Sequence, residues 1–296
     1  MITKEKYSIV MPIIKQSYLL DNVSRTFVHD NFQRFIRIGL PSLLKYINWD
    51  EVHTFFIIVR KKEADELASL ISKTAASKLP IVIIHEEILV PYIPKNSKYR
   101  VQMLAKIAIA TYIPTPIYLI IDDDVVALKD FHYKDIWVSK NKIRYTYDPV
   151  FHEDWWKASA NILHMEWNND LVKQLNARIS VTPEIFSTKE AIHLLHELQS
   201  TYGPSMKKLM ITKERWTEYT LMWLYLIQTH KLHTIYKKGK YPLSYGETNI
   251  WFETPNLKEK IQDMFDNKKQ WFGVIQSNVS LHTVDTIEKL VLKVID

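Results

Sequence analysis

Apolar residues fall in short blocks through the first 131 positions, and the blocks alternate between two periods. Tyr7–Ile14 (YSIVMPII), VHTFFIIVRK from Val52, PIVIIHEEI from Pro80 and IYLIIDDD from Ile117 are near-continuous apolar runs of strand length. Runs of that kind read as strands buried on both faces. The segments between them keep a helical period. NFQRFIRIGLPSLLKYI places Phe32, Phe35, Ile36, Ile38 and Leu40 on one side and reads as helix despite Pro41 near its middle. EADELASLISKTA is a second helix, and YRVQMLAKIAIATYI is a third, with Val101, Leu104, Ala105, Ala108 and Ile109 on one stripe. Strands alternating with helices predict an α/β fold with a doubly wound, mostly parallel sheet flanked by helices. In such sheets ligands bind outside the carboxyl ends of the strands.

The second half is less regular and richer in aromatic residues. VTPEIFSTKEAIHLLHELQSTYG reads as a strand or turn followed by a helix capped at Ser187 or Thr188, with Glu190 early in it. TKERWTEYTLMWLYLIQTH is apolar almost all round, the pattern of a buried helix. No Pro/Gly/Ser-rich linker separates the halves. The expectation is one continuous globular domain in two halves, residues 1–131 and 132–296.

Composition narrows the chemistry. A chain of 296 residues that is 47% hydrophobic can bury a large core. Its longest apolar runs are far short of a membrane span, and its N-terminus reads better as a first buried strand than as a signal peptide, so a cytoplasmic protein is expected. Cysteine is absent, which removes disulfides, thiolate nucleophiles and Cys-based metal sites. The five glycines, Gly39, Gly203, Gly239, Gly246 and Gly273, are too scattered for a dinucleotide fingerprint or a P-loop. The net charge is +6, with lysines thickened between Met206 and Lys240. That is a solvated basic face, or a surface for an anionic partner such as a nucleoside diphosphate or an acidic lipid. No nucleic-acid-binding motif accompanies it, and no nucleic-acid partner is expected.

The unusual feature is three consecutive aspartates, Asp122 to Asp124, at the end of an apolar strand. If the strand continued through them, Asp122 and Asp124 would share a face. Two carboxylates about 6 Å apart repel by about 3 kcal/mol at an effective dielectric near 20. A compensating cation is therefore expected there.

YLIIDDDVV resembles the Asp-x-Asp segment of GT-A-fold glycosyltransferases, with Asp122 and Asp124 at the two motif positions and Asp123 at the variable one. More particularly, the chain resembles a bacterial and viral group assigned to that fold. In that group a Tyr-Arg-x-Gln-x-x-x-Lys helix precedes the motif, and a Val-Thr-Pro segment and a Glu-Tyr helix follow it. Their counterparts are Tyr99, Arg100, Gln102 and Lys106; Val181, Thr182 and Pro183; and Glu218 and Tyr219. The resemblance implies a GT-A-like fold and a glycosyltransferase with Mn²⁺ or Mg²⁺ held by Asp122 and Asp124. It implies a nucleotide-sugar donor, a UDP-sugar on family precedent, and a glycan or glycoconjugate acceptor that could be lipid-linked. Some members take a third metal ligand from a C-terminal histidine, and His282 stands in that order.

The chemistry agrees independently. Expelling a nucleoside diphosphate builds negative charge on the leaving oxygen, which a hard cation and a nearby Lys or Arg stabilise. Lys106 or Arg100 would add that charge, with Pro12 at the end of the first strand and Asp123 completing the donor set. An inverting transfer needs a carboxylate base, and Glu218, at the start of a buried helix, is the first candidate, ahead of Asp154 and Glu214. In a retaining transfer no base is required, and Glu218 would orient the acceptor. Trp155, Trp156, Trp216 and Trp251 are available for stacking on sugar, and one or two of them at most are expected to do so. The pairs His193/His196 and His230/His233 have helical spacing but no third ligand in sequence. Two other readings are a nucleotidyltransferase, which usually carries a glycine-rich loop this chain lacks, and a carbohydrate-binding protein without catalysis.

Overall fold

The computed structural model describes residues 5–18, 27–93, 98–145, 152–168, 170–171, 182–212, 214–251, 255–276 and 282–295. The strands run in chain order as β1 (Tyr7–Pro12), β2 (Gln16–Tyr18), β3 (Phe27–Asp30), β4 (Val52–Val59), β5 (Ile81–His85), β6 (Ile117–Ile120) and β7 (Val125–Ala127). They continue as β8 (Trp137–Ser139), β9 (Lys142–Tyr145), β10 (Glu184–Ser187), β11 (Tyr236–Lys238) and β12 (Phe272–Val274). The central sheet has the order β10-β6-β1-β4-β5. β1 pairs in parallel with β4 and with β6, and β4 in parallel with β5; β10 joins β6 antiparallel. The sheet is thus mostly parallel and flanked by helices, as the alternating pattern predicts, and it forms the centre of a single compact domain.

The expected strands match β1, β4, β5 and β6, and β1 and β6 are buried along their whole length. The fifth strand, β10, comes from beyond residue 131, so the two halves share one sheet. Its register sets Ile185 opposite Leu119 and Phe186 opposite Tyr118. Phe186 and Tyr118 meet edge to face at 5.8 Å, an arrangement that favours their ring quadrupoles.

The stretch from Asn31 to Tyr46 is helical, but not uniformly α. Asp30 caps it by accepting from the Gln33 amide, and Phe35–Gly39 form a π turn before Leu40–Tyr46 resumes an α-helix. Pro41 lies in the first turn of that last segment and has no amide to donate, so the widened turn before it lets the helical path continue. Gly39 lies in the π turn because the backbone leaves little room. A Cβ there would stand 3.2 Å from the Phe35 ring and 3.4 Å from the Val125 carbonyl.

Two apolar clusters hold the chain together. The larger surrounds the central sheet. The smaller joins Ile38, Val126, Leu128 and Ile275 to the C-terminal helices Leu257–Asp266 and Val284–Ile295. It anchors the C-terminal helices beneath β7, the strand that follows the three aspartates. Among the described residues no helix is long and apolar enough to cross a membrane.

The chain runs from β1 outward through β4 and β5, then returns to place β6 on the other side of β1. The carboxyl ends of β1 and β6 thus mark the point where the strand order reverses, the position at which ligands bind in sheets of this kind. Val10 is opposite Ile120, which brings Pro12 and Asp122 to the same edge of the sheet.

Candidate active site

β6 ends at Ile120, before the aspartates, and Asp123 and Asp124 form a turn in which the Val125 amide donates to the Asp122 carbonyl at 3.2 Å. The alternating-face argument for Asp122 and Asp124 therefore does not apply: the chain has left the strand before the acids begin. The turn is held from three sides. The Asp122 amide donates to Thr182 Oγ1 at 2.9 Å, the Ile275 amide donates to the Asp124 carbonyl at 3.0 Å, and Ser42 Oγ accepts from the Ala127 amide just beyond, at 3.0 Å. Ser42 in turn donates to the Gly39 carbonyl at 2.7 Å, so the π turn and the acidic turn are tied together.

Lys106 is the cation that the acids meet in this structure. Its Nζ stands 2.6 Å from Asp122 Oδ1 and 2.6 Å from Glu218 Oε1. It also donates to the Tyr219 hydroxyl at 3.3 Å. The helix Lys98–Ala108 carries Lys106, and Tyr118 on β6 donates to the Lys106 carbonyl at 3.0 Å. One strand thus sets both the backbone of the lysine and the start of the turn that holds its carboxylate partner. Glu218 opens the helix Glu218–Gln228, which Thr217 caps through a reciprocal bond with Thr220. That capping box fixes where the helix starts and so where Glu218 points.

Glu218 is 1% exposed, and its second oxygen, Oε2, is buried without a hydrogen-bond partner. Burial raises the Glu218 carboxyl, with Asp122 adding to the rise and Lys106 pulling it back. For Lys106 burial works against the charge, but Asp122 and Glu218 outweigh it and hold the ammonium well above its ordinary value. A general base must lie within hydrogen-bond reach of the acceptor proton. Glu218 is enclosed and bonded to Lys106 in this structure.

A second buried cation was not visible in the sequence pattern. Arg34, 2% exposed, donates through Nη2 to the Ile275 carbonyl, and its Nη1 has no hydrogen-bond partner. Burial lowers its guanidinium from the ordinary value, and the fields of Asp124 and Asp123 oppose that. Asp123 keeps some exposure. Even so, loss of hydration and then Asp124 and Asp122 push its carboxyl well above the usual range, against Arg34 and Lys106. Arg34 is not one of the apolar positions Phe32, Phe35, Ile36, Ile38 and Leu40, and a charged residue between them ordinarily faces solvent, which is why pattern alone passes it over.

The other candidates are dispersed. Pro12 is buried at the end of β1. Arg100 is spent on the Met210 and Glu214 carbonyls, each at 3.3 Å, joining its helix to the segment before Trp216. Asp154 and Glu214 are exposed. Trp156 and Trp216 are core residues at 3% and 1% exposure and are not available to stack on sugar, whereas Trp155 and Trp251 are half-buried. Trp155 stacks on His152 and Trp251 donates to the Gly246 carbonyl. Val181 lies outside the described residues. His282 lies two residues before the last helix. Among the described residues no group of three or more His, Asp or Glu side chains is assembled to hold a metal.

Asp122 and Asp124 still suit a hard divalent ion. They are hard oxygen donors, and the Asp122 side chain is 32% exposed. Mg²⁺-type sites commonly use one or two carboxylates, with substrate phosphates and water supplying the rest.

Several solved structures are similar in outline. One is the galactosyltransferase LgtC in complex with donor and acceptor sugar analogues, at 11% identity and a TM-score of 0.47, covering 97% of this chain and 95% of that one. Another is mouse xyloside xylosyltransferase 1 in its apo form, at 11% identity and a TM-score of 0.45, covering 95% of this chain and 99% of that one. A third is the apo structure of WbbM, described as a bifunctional glycosyltransferase, at 12% identity and a TM-score of 0.49, where all of this chain covers 52% of that one. No curated protein matches the sequence. A family model does match, over residues 4–293, and the chain belongs to that family, DUF6492, a family of unknown function.

Proposed function

We propose that this chain is a glycosyltransferase that takes a nucleotide-sugar donor, a UDP-sugar in the first instance, and transfers the sugar to a glycan or glycoconjugate acceptor. The observation that carries this reading is the acidic turn at the switch point of a mostly parallel sheet, backed by the buried Lys106. In this reading Asp122 and Asp124 hold Mn²⁺ or Mg²⁺. The ion would neutralise the diphosphate and stabilise the charge that grows on it as the glycosyl bond breaks.

The residues of the chain then divide the work. Lys106 carries a positive charge at the same edge and is kept protonated by its two carboxylates. Thr182 and Ile275 fix the backbone of the turn, which holds the acids in place without reorganisation during transfer. Arg34 offsets the concentration of negative charge from below. Glu218 anchors Lys106 and does not serve as the base of an inverting displacement, because both of its oxygens are enclosed.

The test is a thermal-shift series with UDP plus Mn²⁺, Mn²⁺ alone and nucleoside triphosphates, followed by a nucleotide-release screen over UDP-, GDP- and CMP-sugars. A ligand at about 100 times its Kd adds about 2.7 kcal/mol, enough to shift the melting curve. Stabilisation by triphosphates alone would move the assignment to a nucleotidyltransferase. Binding without release or transfer would leave a carbohydrate-binding protein.

A further inference from the structure

Lys106 sits where a bound cation would draw on the same oxygen. An ammonium has three protons, and all three have acceptors here: Asp122 Oδ1 at 2.6 Å, Glu218 Oε1 at 2.6 Å and the Tyr219 hydroxyl at 3.3 Å. The two carboxylate contacts are alike in length and unlike in setting. The Glu218 side chain is 2% exposed, whereas that of Asp122 is 32% exposed. Water, or an ion arriving through water, reaches the Asp122 side of the bridge and not the Glu218 side. The Tyr219 ring, with its centroid 5.0 Å from Nζ, further favours keeping the ammonium on the Glu218 side.

We propose that Lys106 is a built-in competitor for the divalent-cation site. In the cation-free protein its ammonium occupies Asp122. A divalent ion binding Asp122 and Asp124 displaces it from Asp122 alone, leaving it on Glu218 with one ammonium proton still bound to Nζ but without an acceptor. An incoming diphosphate oxygen is the acceptor that proton lacks. Cation and nucleotide therefore help each other bind, and the coupling is reciprocal. The protein holds the ion weakly without donor and tightly with it. This inference rests on the metal-site reading proposed above, and the experiment separates the two.

The variants Glu218→Gln and Lys106→Met/Glu218→Gln are compared with the wild type by Mn²⁺ titration, reading free Mn²⁺ by electron paramagnetic resonance, without nucleotide. Glu218→Gln leaves the lysine with Asp122 as its only carboxylate, and Mn²⁺ binding weakens. The double variant removes one positive and one negative charge. Its net charge equals that of the wild type, so a change in overall charge does not account for a change in binding. Competition predicts binding about tenfold tighter than wild type. If the double variant does not fold by circular dichroism, Lys106→Met/Glu218→Leu, which replaces the pair with apolar groups, takes its place. Equal or weaker binding by a folded double variant overturns the competition and leaves the metal site standing. If none of the proteins binds Mn²⁺ even with UDP present, the metal site falls and the competition falls with it.

Discussion

Glu218 and Lys106, 112 residues apart in the chain, meet at 2.6 Å inside the protein. Each comes from a different helix, and neither carries a local signal that names the other. Their contact converts two separate candidates, a base and a phosphate-facing cation, into one buried unit whose open end is Asp122.

That unit predicts a stability pattern. Lys106→Met leaves Glu218 buried without its counter-ion, and breaking a buried pair from one side costs about 3–5 kcal/mol. Removing both charges in Lys106→Met/Glu218→Leu should recover most of that loss. Urea unfolding of the three proteins measures it. A single variant as stable as wild type would mean that Glu218 is neutral in the folded protein.

The acidic turn predicts a loss of function without a loss of fold. Asp124→Ala should remove Mn²⁺-dependent UDP stabilisation and lower any sugar transfer by about 100-fold or more, while the circular dichroism spectrum stays that of the folded protein. Isothermal titration with UDP and Mn²⁺ checks the first part. Wild-type affinity in that variant would take Asp124 out of the site.

Arg34 predicts an effect transmitted through backbone. Its guanidinium bonds the Ile275 carbonyl while the Ile275 amide bonds the Asp124 carbonyl. Arg34→Met leaves the first of these carbonyls without its charged donor and removes a cation near Asp123 and Asp124, at a cost of about 1–3 kcal/mol. Arg34→Lys, which keeps the charge, should lose less. The two urea midpoints decide it, and equal losses would show that the charge does not matter there.

Alkaline pH should destabilise the fold. Burial pushes the phenols of Tyr7, Tyr118, Tyr219 and Tyr236 above their ordinary value of 10.0. Lys106, against its own desolvation, is held above 10.5 by Asp122 and Glu218. In every case the folded state keeps a proton that the unfolded chain releases. Stability from these groups is therefore complete below about pH 10 and falls as pH rises beyond it, by up to about 1.4 kcal/mol per pH unit for each group. Urea midpoints between pH 8 and 11 test this, and an unchanged midpoint across that range would contradict it.

Much of the architecture was legible from local pattern. Continuous apolar runs mark β1, β4 and β6 because strands buried on both faces have no polar side to show; β5 carries a similar run at the edge of the sheet, where Val82 is exposed. The all-round apolar character of Glu218–Gln228 marks a helix inside the core. The three aspartates after an apolar strand mark the edge at which a ligand would sit. These are signals of short range, carried by neighbours in the chain.

What the tertiary structure alone decided is which distant groups share a space. β6 ends at Ile120, and the turn that follows is held by Thr182 and Ile275, residues far along the chain. Whether Glu218 faces an acceptor or a lysine depends on how the helix Glu218–Gln228 packs near Lys98–Ala108, and the packing chose the lysine. Arg34 is buried because the acids and the Ile275 carbonyl lie on the side of the helix where it emerges. Sequence determines local conformation through propensity and periodicity, but a charge is stabilised or stranded by neighbours brought together only when the chain has packed.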